Sequence, residues 1–210
     1  MFEIFDRVYC IHLPNATRRS QMESEFARVG IRDARYVAAS APPHSFTVPN
    51  MRRNPRAEFG VNLSHLTAVV QALTDRAERP LFVEDDVVFR QMPECDLPDW
   101  DLLYLGGHPR EPVERASANV VRVKKFSCAE AYSVRGSLLR DLHQFWCDRI
   151  TKPNAMYDFI LGEFAAAHRA YCFYPVVTEQ RLDVSHVSGN VDDKRELIRR
   201  GWASNLSSIR

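Results

Sequence analysis

Apolar positions along the chain follow two different periods, and each period predicts one type of element. Short runs rich in β-branched and aromatic residues are typical of strands, whereas apolar residues three and four positions apart are typical of helices. The predicted strands are Arg7–Leu13, Ala34–Ala38, Leu81–Phe89, Asp101–Leu105, Val120–Val123, Ala131–Val134 and Tyr171–Val177. The predicted helices are one between Asn15 and Gly30, then Phe59–Leu73, Leu138–Arg149 and Tyr157–Ala167.

These elements alternate early in the chain, and the strands come closer together later. That order predicts an α/β domain with a mixed, mainly parallel sheet flanked by helices. We expect residues 1–191 to form this domain and residues 192–210 to form a charged C-terminal tail. In such sheets ligands bind outside the carboxyl ends of the strands, so polar residues at those ends are candidates for chemistry.

Composition narrows the class of protein. The 210 residues are 45% hydrophobic and 26% charged, as in one globular domain. Lys and Arg number 28 against 27 Asp and Glu, and this balance argues against a nucleic-acid-binding protein. No apolar stretch reaches transmembrane length and the N-terminus lacks a signal-peptide pattern, which predicts a cytoplasmic protein. The five cysteines are widely spaced without a CxxC pair, which predicts reduced thiols.

Three adjacent acids, Glu84, Asp85 and Asp86, interrupt the predicted strand Leu81–Phe89. Acids inside an apolar run are costly to bury without partners. Alternation along an extended chain would direct Glu84 and Asp86 to one side, where their oxygens could hold Mg²⁺ or Mn²⁺. Asp85 would face the other side. Phosphotransfer and nucleotidyl-transfer enzymes also place acids at strand ends, and an acidic junction without a metal is a further interpretation.

Several segments together resemble glycosyltransferase family 25, the lipopolysaccharide-type and collagen-type galactosyltransferases. They are Val8–Leu13 with Arg18-Arg19, Gly60–Leu66 (GVNLSHL), Leu81–Phe89 (LFVEDDVVF), Trp100–Leu105, Ala129–Arg135, Pro153–Asp158 and Pro175–Ser185. The segments occur in the family's order over nearly the whole chain. His12 departs from the family, which usually has Asn there.

This resemblance implies a nucleotide-diphosphosugar transferase A-type (GT-A) fold. It also implies a Mn²⁺-dependent, inverting transfer of a hexose, galactose or glucose, from a UDP-sugar to a saccharide hydroxyl, as in the synthesis of lipopolysaccharide or another surface glycan. A retaining transfer is the alternative, because the late His186-x-x-Gly189 spacing resembles the glycogenin-like transferases.

The resemblance also suggests roles for individual residues. Glu84, Asp86 and His186 are the predicted metal ligands, and Asp158 is the predicted general base, with Glu130 and Glu179 as rivals. The predicted contacts to the donor are Arg18, Arg19, Ser64, His65 and Asp85, of which Asp85 is also a candidate catalytic residue. Each has a structural interpretation beside the functional one, such as a helix cap for Asp158 or a core histidine for His65.

Other functions remain open at this point. One is a non-catalytic module that binds a sugar nucleotide, and another is a glycosyltransferase that acts on protein or nucleic acid. A phosphotransfer or nucleotidyl-transfer enzyme would need a Lys or Thr near the phosphate or a glycine-rich loop, and the chain has no G-x-x-x-x-G-K motif. The basic tail, with Lys194, Arg199 and Trp202, could contact an acidic acceptor or the inner membrane face, or be a solvated helix.

Overall fold

The computed structural model describes residues 2–42, 55–94, 96–152, 155–182 and 194–206. The helices are α1 (Ala16–Val29), α2 (Pro55–Thr74), α3 (Leu139–Cys147), α4 (Tyr157–Ala166) and α5 (Lys194–Asn205), with 3₁₀ turns at Phe2–Ile4 and Gly136–Leu138. The first strands are β1 (Arg7–His12), β2 (Ala34–Ala38), β3 (Pro80–Glu84), β4 (Val87–Phe89), β5 (Leu102–Tyr104) and β6 (His108–Pro109). The later strands are β7 (Glu114–Ser117), β8 (Val120–Arg122), β9 (Phe126–Ser127), β10 (Ala131–Val134), β11 (Ala170–Phe173) and β12 (Thr178–Gln180).

A central sheet has the strand order β2-β1-β3-β10-β5-β11-β8-β7. β1 lies parallel between β2 and β3, and β5 lies parallel to β11. β10 is inserted antiparallel between β3 and β5, and β8 is antiparallel to both β11 and β7. Only β10 and β8 therefore oppose the common direction within this sheet. The predicted α/β class with a mixed, mainly parallel sheet is confirmed.

Successive residues of β1 and β3 point to opposite faces of the sheet. Helices cover both faces, and a hydrophobic cluster lies on each side. Tyr9 and Phe82 belong to a hydrophobic cluster that also contains residues of α2, α3 and α4. Val8 and Leu81 belong to a second cluster, which contains Met22 and other residues of α1. The helices therefore flank the sheet on its two sides, as the alternating order of elements predicts.

The helix α1 illustrates how local sequence sets element boundaries. The Asn15 side chain accepts hydrogen bonds from the N–H groups of Thr17 and Arg18, at 3.0 and 3.2 Å. Gly30 ends the helix with φ of 82°, a left-handed conformation that favours glycine. Both boundaries of this helix agree with the sequence prediction.

The prediction of one continuous strand over Leu81–Phe89 is wrong. β3 ends at Glu84, Asp85 and Asp86 form a turn, and β4 begins at Val87. β3 lies in the central sheet, whereas β4 pairs with β12 in a separate two-stranded sheet. The physical reason is that the acids break the apolar run, and the chain turns there instead of extending.

Residues 194–206, which the sequence suggests to be part of a charged tail, include the helix α5. Trp202 on this helix is buried and its Nε1–H donates to the Gly107 carbonyl at 2.9 Å. The described cysteines Cys10, Cys128, Cys147 and Cys172 are free thiols, and Cys95 lies outside the described residues. Within the described ranges, every helix is too short or too polar to cross a membrane.

Candidate functional site

The acidic triplet lies at the edge of the sheet where β1 and β3 end. Because the chain turns at Asp85 and Asp86, the alternation argument does not hold beyond Glu84. Glu84 and Asp86 still interact, since the negative charge of Glu84 raises the pKa of Asp86. Metal binding by this pair stays a prediction, and a turn, not an extended strand, would have to bring the two carboxylates together.

Glu84 is held by several side chains. Its Oε1 lies 3.3 Å from His65 Nε2, and its Oε2 accepts a hydrogen bond from Gln180 Nε2 at 3.0 Å. Burial alone would raise the pKa of Glu84, but the hydrogen bond from His65 and the charges around it lower the pKa to about 2. Glu84 is thus a fixed, ionised carboxylate.

His65 is an interior residue that orients Glu84. It is 1% exposed and stacks on the Tyr157 ring with centroids 4.0 Å apart. Its Nδ1 lies 3.0 Å from the Tyr132 hydroxyl, which can donate to it, while Nε2–H donates to Glu84. Both ring nitrogens have partners inside the protein. The predicted donor contact by His65 stays a prediction, and the geometry gives the residue a positioning role.

Ser64, the neighbouring predicted donor contact, is also interior. Its hydroxyl donates to the Gly60 carbonyl at 2.6 Å and accepts from the Ser40 N–H at 2.8 Å. These bonds connect α2 to the segment after β2. Ser64 therefore ties two parts of the fold together beneath the candidate site.

Asp85 and Arg18 form a buried ion pair. Arg18 Nη1 donates to Asp85 Oδ1 at 2.6 Å, and the two side chains are 8% and 7% exposed. The other oxygen of Asp85 accepts from the Leu13 N–H at 2.9 Å. The sequence predicts both residues at the site, and the structure brings them together. Contacts of either one to a donor stay a prediction.

Arg19 points away from this pair. Its Nε donates to Glu23 at 2.9 Å on the surface of α1, and its guanidinium lies 3.6 Å from the centroid of the Tyr36 ring. The side chain is 43% exposed. Of the two adjacent arginines, Arg18 is thus buried against the acidic turn and Arg19 lies at the surface.

Asp86 carries an unsatisfied oxygen. Its Oδ1 is buried and has no hydrogen-bond partner among the described residues. Burial and the charge of Glu84 raise the pKa of Asp86 to about 7, although Arg18 partly opposes them. A buried carboxylate oxygen without a hydrogen-bond donor is a suitable ligand for a cation.

Two further carboxyls, Asp158 and Glu130, belong to the same region, because the charge of Glu84 acts on both. Asp158 is 7% exposed and accepts from the Cys128 N–H at 3.0 Å, while its Oδ1 has no partner in the part of the chain that the structure describes. Glu130 is 1% exposed, and its Oε2 is likewise without a described partner. Burial raises the pKa of Asp158, and it raises that of Glu130 to about 8.

Gly106 makes room for Glu130. A Cβ at this position would lie 1.9 Å from Glu130 Oε1 and 2.2 Å from Thr178 Oγ1. The Thr178 hydroxyl donates to the same Glu130 oxygen at 3.3 Å. The chain after β5 therefore passes directly against this carboxyl, and only glycine fits there without rearrangement.

Lys194, at the start of α5, is a cation that interacts with these acids. Burial would lower the pKa of Lys194, but the negative charges of Glu84, Asp86 and Glu130 raise it. In the sequence this lysine belongs to the predicted charged tail, and no motif around it indicates a place in the site. The relevant signal is present nevertheless, since Trp202 lies on the same helix and can anchor it.

The other predicted residues have mixed outcomes. Glu179, a rival for the general base, pairs with Arg90 at 2.6 Å and is 29% exposed. His186 lies outside the described residues. Sequence reasoning missed Gln180, Thr178 and Tyr157, whose partners lie far away in the chain. Tyr132 falls in the motif Ala129–Arg135, but its hydrogen bond to His65 follows only from the pairing of β10 with β3.

The oxygen donors of this site suit a hard cation. Within the described ranges, no group of three or more His, Cys, Asp or Glu side chains is arranged to hold a metal. Asp86 Oδ1, however, is a buried carboxylate oxygen without a partner next to the ionised Glu84. Oxygen ligands of this kind are those that Mg²⁺ and Mn²⁺ prefer. A cation at this point would satisfy the orphaned oxygen.

Solved structures with some resemblance to this one include a glycosyltransferase and a UDP-glucose pyrophosphorylase. A197 from STIV gives a TM-score of 0.47 at 13% identity, over 84% of this chain and 86% of that chain. A glycosyltransferase involved in the glycosylation of the major capsid of PBCV-1 gives 0.43 at 11%, over 74% and 72%. A UDP-glucose pyrophosphorylase complexed with UDP-glucose gives 0.45 at 11%, over 94% and 81%.

At this level of similarity none of the three carries an argument about what this chain does. No family model matches the sequence, and no curated protein matches it. The functional argument therefore rests on the geometry of the site.

Proposed function

We propose that this protein is a metal-dependent glycosyltransferase of the GT-A type, which moves a hexose from a UDP-sugar to a saccharide hydroxyl. The observation that carries the proposal is a cluster of four carboxyls whose charges all interact with Lys194: Glu130 and Asp158, which are buried, and Glu84 and Asp86, which are partly exposed. Three of the four have an oxygen without a described partner. Such a cluster is costly to bury unless a ligand completes it. It lies at the carboxyl ends of the parallel strands β1 and β3, where α/β sheets bind ligands.

The donor diphosphate is the group that this cluster would receive. Glu84 and Asp86, with His186, would hold Mn²⁺ or Mg²⁺, which when bound neutralises charge on the leaving diphosphate. The ammonium of Lys194 faces the same place and can stabilise that charge directly. His65, Tyr132 and Gln180 keep Glu84 in place.

The proposed general base is Asp158, with Glu130 as its rival. The acceptor hydroxyl gives its proton to the carboxylate as its oxygen bonds to the anomeric carbon, and the bond to the diphosphate breaks. A base works best with a pKa near the operating pH, and burial raises the pKa of Asp158 in that direction. This in-line step inverts the anomeric centre.

The proposed family is glycosyltransferase family 25, which several segments of the chain resemble, among them Gly60–Leu66 and Leu81–Phe89. Under it the acceptor is a lipopolysaccharide or another surface glycan. Asp85 and Arg18 are assigned a positioning role in this scheme, because Arg18 and Leu13 occupy both carboxylate oxygens of Asp85. A direct contact of Asp85 with the donor sugar would require this arrangement to open.

The test is a screen of nucleotide sugars for donor hydrolysis and transfer, with and without Mn²⁺. We expect UDP release to need Mn²⁺ and Asp86→Asn to lower the rate by about 100-fold, because several kcal/mol of charge stabilisation are lost. Asp96→Asn is the matched control, since Asp96 is an exposed carboxylate outside the acidic turn. Equal rates for wild type and Asp86→Asn would refute the metal assignment. UDP binding without Mn²⁺ dependence and without turnover would instead indicate a non-catalytic module.

Nucleotidyl transfer is a second candidate, because two side chains at this site favour it. Such an enzyme needs a Lys or Thr near the phosphates, and the structure brings both Lys194 and Thr178 to the carboxyls. The products separate the two candidates. Pyrophosphate released from a nucleoside triphosphate and a sugar 1-phosphate would support nucleotidyl transfer, whereas UDP released from a UDP-sugar supports glycosyl transfer.

A further inference from the structure

A second concave site lies at the opposite edge of the sheet from the carboxyls. It is a groove of about 810 Å³. Its walls are the end of α2, the segment before β5 and the beginning of α3. β3 and β5 begin at this edge, so the body of the sheet separates the groove from the candidate active site.

The rim of the groove is mainly basic, although the exposed Glu78 also lines it. Arg76, Arg79 and Arg140 line it and are exposed. No ion pair joins these three arginines to a carboxylate among the described residues. A fourth lining arginine, Arg135, is engaged, because it pairs with Asp99 and donates to the Trp100 carbonyl at 2.7 Å. Three guanidinium groups are therefore available to a ligand.

Arg76 has an unusual backbone. It follows α2 with φ of 53°, and the Arg76 and Ala77 N–H groups donate to Leu73 and Ala72 carbonyls at 3.1 and 3.0 Å. This left-handed position at the end of a helix normally carries glycine, because a Cβ is disfavoured there. A strained residue that points to a concave site is a reason to look for function.

Gly136 brings the two walls together. Its N–H donates to the Glu78 carbonyl at 2.7 Å, and a Cβ at Gly136 would lie 2.2 Å from the Ala77 carbonyl oxygen. This close approach fixes the start of α3 against the end of α2. Arg140 on α3 and Arg76 after α2 consequently line the same groove.

We propose that this groove binds a phosphate-bearing small molecule, recognised by Arg76, Arg79 and Arg140. Guanidinium groups match phosphate oxygens in geometry and charge. The volume is in the range of sites for small molecules, and buried apolar side chains of Trp100 and Leu139 line its floor. The site is separate from the carboxyl cluster and does not depend on the proposed activity.

Isothermal titration of the full chain with inorganic pyrophosphate tests the proposal. EDTA is included so that metal-dependent binding at the carboxyls does not contribute. We expect Arg140→Gln to weaken binding by about tenfold, the effect of one charge-assisted hydrogen bond. Arg32→Gln is the matched control, because Arg32 is exposed in the loop before β2, and it should bind like wild type.

Arg76→Gly gives a second, independent test, because it should raise the stability of the fold and lower the affinity for pyrophosphate. The melting temperature should rise by about 2 °C as the left-handed strain is relieved. Pyrophosphate binding should weaken by about tenfold. Absence of binding by wild type at millimolar pyrophosphate would overturn the proposal, as would equal affinity in all four proteins. Binding to vesicles of anionic lipid without binding to pyrophosphate would also overturn it, in favour of a membrane surface.

Discussion

The ion pair between Arg18 and Asp85 joins residues 67 positions apart in the sequence. Both appear in motifs, so each could be predicted as a site residue. Their contact depends on the parallel register of β1 and β3, which places Ile11 beside Glu84. Residues just after each strand are then neighbours, and Leu13 and Arg18 meet Asp85. A pattern along one strand carries no information about register with another, so this contact could not be predicted.

We expect Asp85→Asn to lower the free energy of unfolding by about 3 kcal/mol, because it removes a buried carboxylate that pairs with the buried Arg18 guanidinium. Urea denaturation measures the change. Glu23→Gln removes the exposed partner of the adjacent Arg19 and should leave stability near wild type. Similar losses in the two variants would contradict the buried pair. A fully stable Asp85→Asn that lost only donor turnover would favour the predicted contact with the sugar.

At the scale of elements, hydrogen bonds between Asp101 and Arg169, here called the clasp, reinforce the pairing of β5 and β11 where the two strands begin. Arg169 donates to Asp101 from its backbone N–H at 3.0 Å, from Nε at 3.0 Å and from Nη2 at 2.7 Å. The Asp101 N–H donates to the Arg169 carbonyl at 2.9 Å. These bonds align the first residues of two parallel strands.

The clasp predicts a dependence of stability on acid. The hydrogen bonds from Arg169 lower the pKa of Asp101 to about 2, below the value of about 3.9 expected in the unfolded chain. A carboxyl with a lowered pKa stabilises the fold above pH of about 4, and the contribution is lost as the pH falls towards 2. Asp101→Asn should therefore lower the free energy of unfolding by about 1 kcal/mol at pH 7, after solvent screening, and by less at pH 3.

Chemical denaturation at several pH values between 3 and 7 would measure this. Asp96→Asn serves as the control, because Asp96 is exposed. A constant difference between Asp101→Asn and wild type over this range would show that the clasp does not depend on the charge of Asp101.

Most of the large elements could be predicted from the sequence, because long amphipathic helices and short apolar strands have distinct periods. The boundaries of α1 follow from Asn15 and Gly30 alone. The turn at Asp85 and Asp86 could not be predicted from the sequence, because the apolar residues on both sides of it are typical of one continuous strand. The short pairs β6–β9 and β4–β12 were also missed, because two or three residues carry no measurable period.

At the scale of the whole molecule, α5 completes the candidate site from the far end of the chain. Trp202 packs on Tyr174 and Phe126, with ring centroids 4.8 and 6.2 Å apart, and bonds to the Gly107 carbonyl. Asn205 Nδ2 donates to the Pro109 carbonyl at 3.0 Å. These contacts fix α5 over the segment after β5, so that Lys194 faces the carboxyls.

We expect Trp202→Ala to destabilise the protein by about 3–5 kcal/mol, because it removes a large buried side chain and its hydrogen bond. Hydrogen exchange followed by mass spectrometry should show faster exchange in α5 and around Glu130, since the helix loses its anchor. Leu197→Ala is the matched control on the same helix, where Leu197 is 52% exposed, and exchange there should stay at the wild-type rate.

If both variants exchange like wild type, α5 is not held by Trp202. If Leu197→Ala alone loses binding to anionic vesicles, the helix has the membrane contact that its charge pattern suggests, and docking of Trp202 and membrane contact occur on different faces.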